Sequence, residues 1–548
     1  MALELTPLDQ IKECIKARSN FLLSGGAGCG KTHTLKEALE YIFNTSELRH
    51  NNVACITFTN AAADEIKSRI QNTNLYVSTI HEFLWSCIKQ YQKELKQSLI
   101  ILIRNEKEKA RTGIRYDGDQ DLTYDYFSNM SIEYREYKKL EAGIISHNEV
   151  LSLANFMFAK YPFLCRITKD RFPFIFIDEY QDTAMKVVEI FMEYLPADIG
   201  RADKKTACSL RKVTIGMFGD SMQSIYAYGV GNINNYVANG IVKEIPKPDN
   251  FRCSAAVINL LNKLRFDDIH QVASGQNKNV TGSATFLYSN KDVDLSDLKR
   301  HEIFSSWDFN ASINTKELYL THRLIAGKAG YGHLFAEYGN ADRLIGDSKD
   351  NLMKHLFSIN ELIDQYLNKN YNDFIRKVKF QIKKLSDKKI LRNNIDTLLN
   401  IQEKGSIGEL IKLADEFSIY PIGDGLKEFI SENESRHSVI CQMPASESRV
   451  IYEYEQAYLP YSTQHNIKGT EFRNVLVVLD NGGWNLYNFK DLFGERPGHS
   501  TIERTQKIFY VCCSRAIENL VIFFPQPSTI VLNTAGEWFG EQNVIRVS

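Results

Sequence analysis

Phe21-Leu-Leu-Ser24, followed at once by Gly25-Gly26-Ala27-Gly28-Cys29-Gly30-Lys31-Thr32, decides how this chain is read. A short apolar run enters a glycine-rich turn, and Leu35, Leu39 and Ile42 then recur at helical spacing. The pattern predicts a buried strand, a loop and an amphipathic helix over residues 32–43. The spacing G-x-x-x-x-G-K-[ST] suits a loop whose backbone N–H groups turn inward around a phosphate. Lys31 can then reach the terminal phosphates and Thr32 can offer its hydroxyl to Mg²⁺, while the helix N-terminus adds partial positive charge. ATP and Mg²⁺ are therefore the expected ligands.

Outward from that loop, residues 53–58, 174–177 and 213–218 read as further apolar strands, and residues 61–70 as a helix. Strands alternating with helices predict a parallel sheet with its ligand at the strand C-terminal ends. The strand at 174–177 runs directly into Asp178-Glu179-Tyr180-Gln181-Asp182. A carboxylate at the end of a buried strand lies beside the phosphate loop. Asp178 suits holding Mg²⁺, and Glu179 suits orienting and deprotonating an attacking water.

The 548 residues exceed what one core can use. Long charged helical stretches interrupt the α/β pattern twice, and apolar strands return at 475–479 and 520–524. The expected division is a first α/β lobe at 1–88 and 171–248, with a helical insertion at 89–170. A second lobe is expected at 249–330 and 446–548, with a reduced helical insertion at 331–445. No internal sequence repeat is found. The 66 basic and 67 acidic side chains give a net charge of −1, so any nucleic-acid surface must be a local cluster. The basic stretch 376–392 reads more readily as a solvated helix face than as a phosphate surface.

Ten cysteines without a C-x-x-C pair point to free thiols and no zinc or iron–sulfur site. The N-terminal residues carry no basic and apolar signal pattern, and no apolar run approaches the roughly 18 residues of a membrane span. The expectation is a cytoplasmic protein that binds no membrane.

Nine stretches in order, the phosphate loop among them, resemble the motifs of the UvrD/Rep/PcrA family of superfamily 1 helicases. They begin with Leu5-Thr-Pro-Leu-Asp-Gln10 and the phosphate loop, and continue with Thr57-Phe58-Thr-Asn60 and Ser78-Thr-Ile-His81. Next come Asp178-Glu-Tyr-Gln-Asp182, Gly219-Asp-Ser-Met-Gln223-Ser-Ile-Tyr226 and Asn250-Phe251-Arg252-Cys-Ser254. Thr463-Gln-His465-Asn-Ile-Lys-Gly469-Thr-Glu471-Phe and Tyr510-Val-Cys-Cys-Ser514-Arg515-Ala complete the set.

The resemblance implies two RecA-like parallel-sheet motor domains with ATP between them. By the same resemblance Gln10 reads the adenine edge, Phe251 stacks on the base and Glu471, beside Gly469, reaches the ribose. Gln223 senses the γ-phosphate, and Arg252 and Arg515 come from the second lobe to stabilise transition-state charge. Thr57, Phe58, Asn60, His81, Tyr226, Tyr228 and His465 match positions that contact DNA, with the aromatics as stacking faces. The implied activity is that of an ATP-dependent 3′→5′ DNA helicase or translocase on single-stranded or tailed duplex DNA.

Two departures stand out. Tyr228 replaces a family tryptophan, and Gly229 replaces an arginine. The short chain also resembles helicase-like subunits of antiviral defence complexes. That likeness implies a second reading, a nucleic-acid-sensing ATPase that regulates a partner nuclease.

Overall fold

The computed structural model describes residues 5–57, 60–104, 114–116, 118–135, 137–196, 212–226, 229–291, 293–339, 341, 343–346, 349–456, 458–463, 467–480 and 486–547. The chain divides into two compact units, Met1–Cys253 with Leu264–Asn279, and Ser254–Lys263 with Val280–Ser548. The division differs from the boundary at 249 expected from the sequence. Residues 249–253 and 264–279 pack with the N-terminal unit, and only the short stretch between them belongs to the other.

The first unit is built on six parallel strands: β1 (Asn20–Gly25), β2 (Val53–Thr57), β3 (Leu75–Thr79), β4 (Phe174–Asp178), β5 (Thr214–Gly219) and β6 (Val242–Lys247). Their order is β3-β2-β4-β5-β1-β6. Alternate residues face opposite sides, and both sides are covered, as a parallel sheet requires. Phe21, Leu23, Val53, Phe174 and Phe218 pack with Ile11, Leu35, Leu39 and Ile66 from helices on one side. Leu22, Ala54, Ile175, Ile177 and Met217 pack with Phe83, Leu99, Leu153 and Phe158 on the other. The second cluster joins the helices Gln92–Arg104 and His147–Lys160, so the helical insertion shares its core with the sheet. At roughly 1.5–3 kcal/mol for each large apolar side chain buried, this shared core ties insertion and sheet together. The insertion also carries a two-residue parallel pair, Glu133–Tyr134 with Ile144–Ile145, which apolar patterning alone did not reveal.

The second unit repeats the plan with β7 (Ser283–Ser289), β8 (Thr315–Tyr319), β9 (Tyr461–Thr463), β10 (Phe472–Val478), β11 (Ala516–Pro525) and β12 (Val544–Arg546). The order β9-β8-β10-β11-β7-β12 matches the first sheet strand for strand, again all parallel. The duplication lies in topology and leaves no trace as a sequence repeat. Between β8 and β9 the described residues are mostly helical, with helices that include Asn351–Leu367, Leu385–Lys404 and Ala445–Glu455. Those helices bury Leu356, Ile359, Ile395, Leu398 and Ile451 against each other and join Leu476, Val521 and Phe523 of the sheet. Among the described residues, no helix is long and apolar enough to cross a membrane, and every cysteine is a free thiol.

Candidate nucleotide site

β1 ends at Gly25, and the helix Lys31–Asn44 starts where the loop closes. Gly28 and Gly30 have φ of 76° and 77°, a left-handed conformation that L side chains disfavour. A Cβ at Gly28 would lie 2.6 Å from Cβ of Arg252, and one at Gly26 would overlap the side-chain amide of Gln271. The Lys31 ammonium is buried and donates to the carbonyls of Gly25 (3.2 Å) and Gly26 (3.3 Å). Burial works against its charge, but Cys29, Glu179, Asp220 and Asp178 together outweigh that and hold its pKa above the usual lysine value. Thr32 follows in the first helical turn, half-buried.

The acidic strand end lies within electrostatic reach of that ammonium. Asp178, the last residue of β4, is 6% exposed and accepts the Glu179 backbone N–H at 3.1 Å. Glu179 has φ of 51° although it is not glycine. Such strain persists only where surroundings impose it, and it is concentrated at functional sites. Gln181, fully buried, is one of those surroundings. Its amide nitrogen donates to the Glu179 carboxylate, and its amide oxygen accepts the Asp220 N–H at 3.1 Å. Gln223 Nε2 donates to Asp220 Oδ2 at 3.0 Å. Burial pushes Asp220 up, but Arg265 and Lys31 outweigh it and hold this carboxylate below its usual range. A glycine-rich loop, a buried lysine and three carboxylates thus lie together. The donor set fits a nucleotide phosphate with a divalent cation, Thr32 and Asp178 being the residues that would hold the metal.

Phe251 and Arg252 were expected in the second lobe, yet they belong to the first unit. The reason is a set of polar locks. Asn250 donates to the Ala27 carbonyl and to Gln271 Oε1, each at 3.1 Å, and its own oxygen caps Arg252 N (2.9 Å) and Cys253 N (2.8 Å). Phe251 N donates to the Gly28 carbonyl at 2.9 Å. Asn277 donates to the carbonyls of Phe251 (2.9 Å) and Arg252 (2.6 Å). The Phe251 ring is 47% exposed, with the Lys247 ammonium 5.7 Å from its centroid. Gln10 is half-buried in the helix Pro7–Ala17 and donates to the Leu5 carbonyl at 3.2 Å.

Arg515 lies in the second unit and is 1% exposed. It donates to the carbonyls of Val511 (3.0 Å) and Thr470 (3.2 Å) and to the Ser514 hydroxyl (2.9 Å). Phe472 pairs with Ala516 at the start of β10 and β11, which brings the two C-terminal motifs together. Gly469 has φ of 89°, and Glu471 is exposed.

Of the residues matched to DNA contacts, Thr57 is buried at the end of β2 and Asn60 opens the helix Asn60–Arg69. His81 is half-buried at the start of the helix Ile80–Ile88, whose N-terminus Thr79 and Glu82 close as a capping box. Tyr226 is half-buried, and burial, with Asp182 and Glu179, pushes its phenol up to about 12. Phe58, Tyr228 and His465 lie outside the described residues.

Sequence reasoning gave no role to Gln181, Asp220 or Asn250, although all three lie inside motifs it quoted. It gave none to Arg265, Gln271 or Asn277, which lie in no motif. Their partners are distant in the chain, and no local pattern signals such contacts.

Fold and site define a two-sheet α/β chain with a glycine-rich loop of phosphate-binding pattern. The model of the UvrD/REP helicase N-terminal domain matches its residues 8–115 and 103–240. Along its length it is similar to the Gabija protein GajB of Bacillus cereus (strain HuB5-5), at 26% identity over 98% of each chain. It is also similar to DNA helicase II of Haemophilus influenzae, at 23% identity over 45% of this chain and 38% of that one. With ATP-dependent DNA helicase PcrA of Staphylococcus aureus (strain Mu50 / ATCC 700699) the identity is 24%, over 44% of this chain and 37% of the helicase. The two helicase matches thus span well under half of those proteins.

Proposed function

We propose that this chain is a DNA-stimulated ATP hydrolase acting as a helicase or single-strand translocase, moving 3′→5′ as the motif resemblance implies. The observation that carries the reading is Glu179, held in a left-handed backbone conformation and anchored by Gln181 within electrostatic reach of Lys31 and Asp178. Lys31 and the loop N–H groups bind the phosphates of ATP. Glu179 takes the proton of the attacking water, and Gln181 keeps its carboxylate in place for that step. Gln223 stands beside Asp220 as the γ-phosphate sensor, while Phe251 offers its exposed face to the base. Arg252 and Arg515 keep the charge-stabilising roles that their motifs imply. A Mg²⁺ ion held by Thr32 and Asp178 would supply charge neutralisation at the phosphates.

Thr57, Phe58, Asn60, His81, Tyr226, Tyr228 and His465 form the proposed DNA contacts. Stacking on aromatic faces is tolerant of sequence, so little base specificity follows. The decisive experiment is the ATPase rate with single-stranded DNA, duplex DNA, RNA and no nucleic acid. Stimulation by single-stranded DNA is expected, and a rate indifferent to all four would defeat the reading.

A second reading is favoured by the end-to-end match to the Gabija protein, against the partial matches to the DNA helicases. In it, the ATPase senses nucleic acid and regulates a partner nuclease in antiviral defence. Strand separation of a tailed duplex by the isolated chain supports the first reading. ATP turnover without unwinding, together with a changed rate of the partner nuclease, supports the second.

A further inference from the structure

Arg265 belongs to none of the motifs, yet its side chain is 1% exposed and the Asp220 carboxylate it meets is fully enclosed. Nη2 donates to Asp220 Oδ1 at 3.0 Å, Nη1 to Oδ2 at 3.4 Å, and Nε to Asp267 Oδ1 at 2.7 Å. The same carboxylate also accepts the Met222 N–H at 3.2 Å and Gln223 Nε2 at 3.0 Å. The Asp220 N–H in turn donates to the Gln181 side chain, which donates to Glu179. A fixed guanidinium therefore stands at one end of a hydrogen-bonded chain whose other end is the Glu179 carboxylate.

A buried ion pair is a poor source of stability, because desolvating two charges offsets most of their attraction. What the planar fork supplies is direction. With both oxygens engaged, the Asp220 carboxylate cannot rotate. A carboxylate only accepts hydrogen bonds, so Gln223 must present its nitrogen to Asp220 and turn its oxygen away. Arg265 is also the second residue of the segment Leu264–Asn279, by which the chain returns to the first unit. That segment carries Gln271 on the phosphate loop and Asn277 on the Phe251 and Arg252 carbonyls.

We infer that Arg265 is a positioning residue for nucleotide turnover. It fixes Asp220 so that Gln223 and Glu179 keep the orientation the reaction needs. The inference rests on the ATPase reading above and adds to it a residue outside every motif.

The test uses the full chain with saturating single-stranded DNA, measuring kcat, KM for ATP and Tm. Arg265→Lys keeps the charge and loses the fork. Asp220→Asn keeps the shape and loses the charge. Each is expected to lower kcat by roughly tenfold or more while KM stays within about twofold. The combined variant should be no worse than the weaker single one, because both changes break one contact. If both single variants keep wild-type kcat while Tm falls, Arg265 is structural only and the inference is overturned. If the wild type shows no ATP turnover at all, the ATPase reading fails first and takes the inference with it.

Discussion

Gly229 lies so close to Gln181 that a Cβ there would come within 2.5 Å of the Gln181 carbonyl oxygen, and within 3.2 Å of Cα of Asp182. Gly229 bridges Ala184 as an antiparallel pair, Val230 N donates to the Thr183 carbonyl at 2.8 Å, and Gly231 N donates to the Gln181 carbonyl at 3.1 Å. Residues 229–231 are thus zipped onto the backbone of residues 181–184, next to Glu179. The position where the resembled family carries arginine has no room here for a side chain. Gly229→Ala is expected to displace the acidic loop, lowering kcat by about tenfold or more together with Tm. Gly229→Arg, which rebuilds the family pattern, should do greater harm. Wild-type turnover by Gly229→Arg would show that the close approach does not matter.

The charge arrangement around Lys31 separates binding from chemistry. Lys31→Ala removes the buried cation that faces three carboxylates, so ATP affinity and turnover should both collapse. Glu179→Gln keeps the shape and the Gln181 contact but cannot take a proton. A loss of about 100-fold or more in kcat is expected, with ATP still bound. Steady-state rates and binding of a fluorescent ATP analogue check both. A Glu179→Gln variant that hydrolyses ATP normally would remove Glu179 as the base.

Much of this site was legible because its parts are local. The phosphate loop needs glycines at Gly28 and Gly30, where φ is positive, and the Asp178-Glu179 pair ends an apolar run; both signals lie within a few residues. The strands read from the sequence were the continuously apolar ones, such as β1, β2 and β4. The edge strand β6 sets two adjacent exposed residues, Lys243 and Glu244, between buried Val242 and Ile245, which is neither an apolar run nor a strict alternation and hides it among loops. What escaped altogether are contacts between distant stretches. Asn250 reaches Ala27 and Arg265 reaches Asp220, and these pairings move Phe251 and Arg252 to the unit that holds the phosphate loop. The matching strand order of the two sheets escaped for a related reason. Topology can be repeated while side chains are not.

Gln271 lies against the phosphate loop, its amide occupying the space a Cβ at Gly26 would need. Gly26→Ala should therefore push Gln271 off Asn250 and raise KM for ATP by roughly tenfold, with a smaller effect on kcat. Adding Gln271→Ala removes the clash and should recover part of the lost affinity. Steady-state ATPase on the three proteins decides the matter. Additive losses in the double variant would show that Gly26 acts through backbone conformation alone.

Two histidines make the fold sensitive to acid. Burial, with His147 beside it at a ring distance of 4.8 Å, depresses His81 to about 4 despite Glu82. Burial depresses His355, packed 4.9 Å from the Tyr420 ring, to about 4 despite Asp415. Between about pH 6.5, the ordinary histidine value, and pH 4 the unfolded chain takes up protons that the folded chain refuses. Stability is therefore complete above that window and falls as the pH drops through it. Each histidine contributes on the order of 2–3 kcal/mol to that loss. His355→Leu keeps the apolar packing and removes the proton site, so its unfolding midpoint should fall less than that of the wild type between pH 7.5 and pH 4.5. His81→Asn should do the same for the unit that holds the phosphate loop. Thermal midpoints at these two pH values provide the comparison. Parallel losses in variants and wild type would place the acid sensitivity in the carboxylates instead.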